Sequence, residues 1–229
     1  MDEQINQYQG WAGIRSWSRP SGLRGGDFIL RHETAQSLTV MLGDACGHGD
    51  AAAHVTAFLE PILKREMAGS VDETVLRRWN RMVYRRFSVD NFFVCVTMMH
   101  LDFGTQLLTM INAGNPDVLV RRAASGVEHY RATGMPLGVL DDMEWRPPKA
   151  QCTRLGAHDY AVGFTDGLLD CVGRDGDRFG LRRVCTALHQ RPGGVLRAMR
   201  RSLRVFESPT AEQDDLSMLI LCGGGRAAA

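Results

Sequence analysis

Lysine is almost missing from this chain: Lys64 and Lys149 stand alone, and every other member of the 27 basic residues is arginine. That bias reads first as a lineage or codon habit, and second as a supply of planar donors suited to bidentate phosphate contacts. A surplus of either charge is missing too, since 26 acidic residues leave a net charge of +1. Nothing global therefore points to nucleic acid or to an anionic membrane. The six cysteines, Cys46, Cys95, Cys152, Cys171, Cys185 and Cys222, are scattered and form no C-x-x-C pair. This leaves a zinc ribbon without support and makes a disulfide framework an unsuitable reading for so long a chain. No apolar run reaches the roughly 18 residues that suggest a membrane span. The N-terminus, MDEQINQYQG, is acidic and polar rather than signal-like. There is no internal repeat and no long low-complexity linker. A cytoplasmic protein is the expectation.

What is present is an ordinary globular composition, 44% hydrophobic and 23% charged over 229 residues. One domain over residues 1–222 can bury enough apolar surface to stand without cross-links, and GGGRAAA (223–229) reads as a flexible tail. Residues 11–18 and 27–33 read as short strands around the turn-rich RPSGLRGG. From Ser37 to Leu42, Leu38, Val40 and Leu42 alternate with Ser37, Thr39 and Met41, which predicts a strand with one deeply buried face. A helix is expected from Asp50 to Met67, with Val55, Phe58, Leu59, Ile62 and Leu63 on one stripe and a kink or break at Pro61. A second helix follows a cap at Asp72, with Leu76, Trp79, Val83 and Phe87 at helical spacing. From Asn91 the texture is β: FFVCVTMMHLDF with QLLTMINAG as a hairpin or meander pair, then VLVRRA and EHYRA. DYAVGFTDG reads as a strand entering a polar turn, followed by helices near Leu181–His189 and Gly194–Val205 and a last strand, LSMLILC. Hairpin-like neighbours argue for antiparallel sheets in a layered α+β sandwich.

Chemistry concentrates in aspartates that end or interrupt apolar strands. Asp27 follows Gly25-Gly26, Asp44 follows the strand at Leu38–Leu42, Asp166 follows Tyr160–Phe164, and Asp214-Asp215 precede the final strand. A carboxylate at the end of a buried strand is costly unless paired or metal-bound. One such aspartate is best read as a turn residue or cap; four in this context favour a shared role. Oxygen-only ligands select hard cations such as Mg²⁺ or Mn²⁺.

GGDF, GDACGHGDAAA, NAG, GMPLGVL, FTDGLLD, RFG and QDDLSMLIL occur in that order from about Gly25 to Leu221. The ordered set resembles the PPM superfamily of PP2C-like serine/threonine phosphatases, in particular its bacterial SpoIIE-type branch. The resemblance implies an αββα sandwich, two antiparallel sheets face to face and flanked by helices, with a metal site at one edge. It also implies two Mn²⁺ or Mg²⁺ ions. Asp27, Asp44 and the Ala45 carbonyl would hold the first; Asp44, Asp166 and Asp214 would hold the second, with Asp44 bridging. Asp44, Asp27 and Asp166 would carry catalysis, and Asp215 would support from behind. A hydroxide shared by two such ions attacks phosphorus in line, without a covalent phospho-enzyme. By the same resemblance the substrate is a phosphorylated STAS-type anti-sigma-factor antagonist or a similar partner-switching protein. Catalytic-domain length without a sensor domain resembles the stand-alone stress-response phosphatases.

Other features carry weaker readings. His48 lies four residues after Asp44, out of register with the histidine of eukaryotic relatives, and reads as a loop or helix-start residue. Asn115 stands in NAGNP where relatives commonly have His. Cys185 and Arg191 have the C-x5-R spacing of cysteine phosphatases, but the spacer TALHQ lacks the glycines that wrap a phosphate. GGDF lacks the glutamate of a diguanylate cyclase signature. Arg197, Arg200, Arg201 and Arg204 face away from Val195, Leu196, Met199 and Leu203, as a solvated helix face or a dock for an acidic partner. Two rivals remain open: a catalytically silent phosphatase fold that sequesters a partner, and a phosphatase for a small phosphorylated metabolite.

Overall fold

The computed structural model describes residues 4–7, 13–23, 25–47, 49–69 and 71–223. Its strands are β1 (Gln4–Gln7), β2 (Gly13–Arg19), β3 (Asp27–Glu33), β4 (Ser37–Ala45), β5 (Val94–Asp102), β6 (Leu107–Ala113), β7 (Val118–Arg122), β8 (Gly126–Tyr130), β9 (Gln151–Arg154), β10 (Tyr160–Phe164) and β11 (Leu216–Cys222). The helices are α1 (Gly49–Glu66), α2 (Glu73–Phe87), α3 (Asp166–Asp170), α4 (Gly180–Ala187) and α5 (Pro192–Phe206).

Two antiparallel sheets form, a six-stranded one ordered β1-β2-β11-β10-β7-β8 and a five-stranded one ordered β3-β4-β5-β6-β9. Alternation of side chains sorts the inner strands between two cores. Ile14, Val40, Met99, Val118, Ala161 and Leu219 fill the space between the sheets. Met41, Met98 and Ile111 point the other way, against Val55, Leu59, Leu76, Trp79 and Val83 of α1 and α2. Tyr160, Val162, Met218 and Ile220 pack against Val184, Val195, Met199 and Leu203 of α4 and α5. The layers therefore run helix, sheet, sheet, helix, as the resemblance implied.

Several local expectations need correction. The strand at residues 37–42 is covered on both faces, with Leu38, Val40 and Leu42 toward one core and Met41 toward the other, because helices cover the outer side of its sheet. Pro61 does not split the first helix; α1 runs unbroken through it. The ring is exposed, and Leu59 and Leu63 hold both sides to the core, so one lost backbone bond is tolerated. The polar turn after Phe164 is instead the short α3. The cap at Asp72 forms, its Oδ1 accepting from Val75 N at 3.0 Å. Residues 11–12 of the first expected strand, and residues 224–229 of the expected tail, lie outside the described residues. Among the described residues no helix is long and apolar enough to cross a membrane.

Candidate functional site

The site is built where the two sheets end together. β3 and β4 pair so that Asp27 and Asp44 stand directly opposite one another. Opposed residues share a sheet face, here the face of Leu42 and Val40 that looks into the inter-sheet core. Two carboxylates in such a pair repel, an arrangement that stability alone would not select. The other sheet meets them: β10 and β11 pair from Tyr160↔Cys222 to Phe164↔Met218, so Asp166 just beyond β10 and Asp214 just before β11 emerge at the same end. Thr165 ties the sheets together. Its hydroxyl donates to Asp27 Oδ2 at 2.9 Å and accepts from Ser217 N at 2.9 Å.

Asp215 supports this corner from beneath. It is buried and accepts from Ser21 N at 2.6 Å, Ser21 Oγ at 2.9 Å and Gly26 N at 2.6 Å, fixing the loop that leads into Asp27. Glycine is required at two of these close approaches. A Cβ on Gly26 would stand 2.6 Å from the Ala45 carbonyl oxygen, and one on Gly167 would stand 2.0 Å from the Asp215 carbonyl oxygen. The carbonyl expected to serve as a ligand therefore lies against the Asp27 loop, and Ala45 N donates to Gly26 O at 3.1 Å.

The electrostatics are those of an acid cluster. Burial pushes the Asp27 carboxyl up from 3.8 to about 7; hydrogen bonds from Ser217 and Thr165 oppose this, while the charges of Asp215 and Asp166 add to it. Asp44 is pushed up to about 8, first by burial, then by the charges of Asp27, Asp166 and Asp214 and by a hydrogen bond shared with Asp166. Asp166 is raised by burial and by Asp214 and Asp170. No cation figures among these leading influences. Asp27 Oδ1 is buried without a hydrogen-bond partner among the described residues. An oxygen-rich corner with an orphaned carboxylate oxygen and mutually repelling acids fits a hard divalent cation. Among the described residues no three His, Cys, Asp or Glu side chains are grouped so that they could hold a metal ion as they stand.

A cavity of about 580 Å³ opens beside Asp27, between Ser16 and Ser18 of β2, Ile29 of β3, and Glu60 and Lys64 of α1. Nearby thiols are poor nucleophiles. Burial first, and then the Asp44 charge, push the Cys95 thiol up; the same causes raise Cys46, against a backbone hydrogen bond from Phe93. Cys185 is likewise raised by burial and sits in α4, with Arg191 at the start of α5, so the C-x5-R spacing builds no phosphate loop. Asn115 is buried and donates to Leu42 O at 3.3 Å, a structural tie below the site. His48 lies outside the described residues. Sequence reasoning missed Thr165 and Ser217; their signal was a hydroxyl inside FTDG, directly before Asp166, and a lone hydroxyl in the apolar strand that follows QDD.

A helix-flanked pair of antiparallel sheets with this acid cluster at their common end defines a PP2C-like phosphatase domain. The chain belongs to the Stage II sporulation protein E (SpoIIE) family, whose model matches residues 34–222. The matched span holds Asp44, Ala45, Asp166 and Asp214, while Asp27 lies just before it. The chain is 26% identical over 136 residues to the phosphoserine phosphatase RsbP of Bacillus subtilis (strain 168), covering 57% of this chain and 33% of that protein. It thus spans about a third of the curated relative it matches. Among solved structures, the PP2C phosphatase domain of SpoIIE from Bacillus subtilis, with a fragment of its regulatory domain, superposes with a TM-score of 0.79 at 13% identity. The match covers 99% of this chain and 70% of that one. RsbX in complex with magnesium superposes with a TM-score of 0.72 at 14% identity, over 96% and 98% of the two chains.

Proposed function

We propose that this chain is a divalent-metal-dependent phosphatase for phosphoserine or phosphothreonine in a partner protein. The observation that carries this is the convergence of Asp27, Asp44, Asp166 and Asp214, from four separate stretches, at the common end of two sheets. Family membership and the phosphoserine phosphatase relative support the reaction class. Asp27 and Asp44, with the Ala45 carbonyl, would hold one Mn²⁺ or Mg²⁺ ion, and Asp44, Asp166 and Asp214 a second; a neighbour's magnesium supports the choice of ion. Such ions, when bound, make water a nucleophile at neutral pH and neutralise phosphoryl charge. The protein's own part is orientation. Thr165 holds Asp27 Oδ2, leaving Oδ1 for the ion, and Asp215 fixes the loop behind it. The raised thiols of Cys46 and Cys95 argue against a cysteine nucleophile.

The partner proposed is a STAS-type anti-sigma-factor antagonist or similar switching protein, whose phosphorylated segment would lie along the cavity beside Asp27. Six free cysteines fit a reducing, cytoplasmic setting. That no three His, Cys, Asp or Glu side chains among the described residues could hold an ion as they stand favours one second reading, a phosphatase fold that sequesters a partner without turnover. The test is hydrolysis of a phosphorylated STAS protein and of an aryl phosphate, with Mn²⁺ and then with chelator. Turnover that needs the ion and disappears in Asp44→Asn supports the proposal. Tight partner binding with no turnover supports the second reading, and turnover persisting in chelator contradicts the metal mechanism.

A further inference from the structure

β3 is the outermost strand of its sheet, and among the described residues only β4 pairs with it. The register sets which way its main chain points. Ala45 N donates to Gly26 O at 3.1 Å, and Thr34 N donates to Ser37 O at 2.9 Å, at the two ends of the β3–β4 ladder. In an antiparallel pair, residues that exchange main-chain bonds alternate with residues that do not. Counting in twos from either end, Phe28, Leu30 and His32 turn their main-chain groups to β4. Asp27 and Ile29 turn theirs to the outer edge. A strand edge of seven residues is a template for a further strand.

The 580 Å³ cavity beside Asp27 follows this edge, and residues 27–31 line it without a gap. Successive side chains of a strand point to opposite faces. A cavity that touches all five therefore runs along the edge and not over one face. Residues 16–18 of β2, in the opposing sheet, form one wall, and Glu60 and Lys64 of α1 form the other. Among the described residues β1 covers β2 only as far as Ser16, so β2 does not close the groove with a strand of its own. The lined stretch is about 13 Å long at a strand's rise per residue. Charge selects little here, since Glu60 stands one helical turn from Lys64 on the α1 wall. What remains is an alternation of main-chain donors and acceptors, which another peptide main chain matches along its length.

We propose that β3 holds the substrate by strand addition: an extended segment of the phosphoprotein, beside its phosphoserine or phosphothreonine, pairs with the outer edge of β3. This rests on the phosphatase reading above and adds how the substrate's chain is held. The groove ends at Asp27, so a strand seated in it carries its phosphoryl group to the acid cluster. That continuity makes the occupant the substrate itself. Because the main chain is read, the flanking residues matter chiefly through their ability to lie extended.

The test uses the intact chain with Mn²⁺ and two substrates. One is an aryl phosphate; the other is a short peptide with central phosphoserine and alternating valine and threonine on both sides. The peptide is also made with a single N-methyl group, moved one residue at a time. An added strand points every second N–H at β3 and the others to solvent. On one side of the phosphoserine, kcat/KM should fall at least ~10-fold at alternate positions and change little at those between. Ile29→Pro removes an outward donor while leaving the ladder to β4, a change that edge strands accept. It should lower kcat/KM for the peptide, through KM, at least ~10-fold relative to that for the aryl phosphate. Circular dichroism checks its fold, and the methyl scan on the parent decides alone if that fold is lost. Equal loss at every methylated position, or at none, overturns strand addition, as does an unchanged ratio in folded Ile29→Pro. Turnover of the aryl phosphate with no saturable turnover of the peptide overturns it too, and leaves the phosphatase reading standing. No turnover of either substrate removes that reading and this inference with it. A dimer of the parent that Ile29→Pro dissolves would give the edge to a second copy of the chain, and also overturns the proposal.

Discussion

Replacing Asp44 by asparagine removes a charge that the ion-free fold tolerates poorly, and the site sets the size of the gain. Asp44 is held at about 8 rather than 3.8 by burial and by Asp27, Asp166 and Asp214. At 1.36 kcal/mol per pK unit this gives an upper bound of roughly 5 kcal/mol at pH 8. Water entry and shared protons among the coupled acids leave a few kcal/mol. The sign follows from the direction. A carboxyl raised in the folded state binds its proton more tightly there than in the unfolded chain, so the ion-free protein loses stability as pH rises from about 4 through about 8. Asparagine cannot ionise, and it should flatten that decline. For a chain of 229 residues, about 2–3 kcal/mol corresponds to a melting temperature roughly 5–10 °C higher at pH 8. At pH 5 the two proteins should differ little. The assay is thermal denaturation of metal-free parent and variant across that range. Asp44→Asn melting at or below the parent at pH 8 would refute the claim that Asp44 sits in an uncompensated acid cluster.

Thr165→Val keeps the shape but leaves Ser217 N and Asp27 Oδ2 without their hydroxyl partner; a loss of about 1–3 kcal/mol by chemical denaturation is expected, with weaker Mn²⁺ binding. Asp215→Asn should leave the ion-binding oxygens in place yet lower Mn²⁺ affinity several-fold by calorimetry, because an amide nitrogen cannot accept from the Ser21–Gly26 loop. Gly167→Ala should lower soluble yield and melting temperature sharply, since its Cβ would sit 2.0 Å from a main-chain oxygen that cannot move away cheaply. Mn²⁺ added to the parent should raise the melting temperature more at pH 8 than at pH 5, because protons and ions compete for Asp27 and Asp44.

Much of this was legible from residue order because the chemistry sits at strand ends, where an aspartate interrupts an apolar run. Asp27, Asp44, Asp166 and Asp214 each carry that mark. Their mutual placement was not legible, since the Asp27↔Asp44 register depends on the length of the β3–β4 turn. β9 escaped notice because QCTR is four residues long and only half-buried on one face, so pairing with β6 rather than its own pattern defines it. α3 looks like a turn in the sequence because DGLLD is too short for helical periodicity to show. Both faces of β4 are buried for a tertiary reason, the packing of α1 and α2, which alternation within one strand does not reveal.

Counting bound manganese tests the central claim most directly. Paramagnetic resonance of Mn²⁺ titrated into the metal-free parent should show two ions per chain, close enough to couple, and Asp44→Asn should abolish the coupling with loss of phosphatase turnover. Manganese that binds with unchanged number and affinity after substitution of Asp27, Asp44, Asp166 and Asp214 in turn would contradict the account.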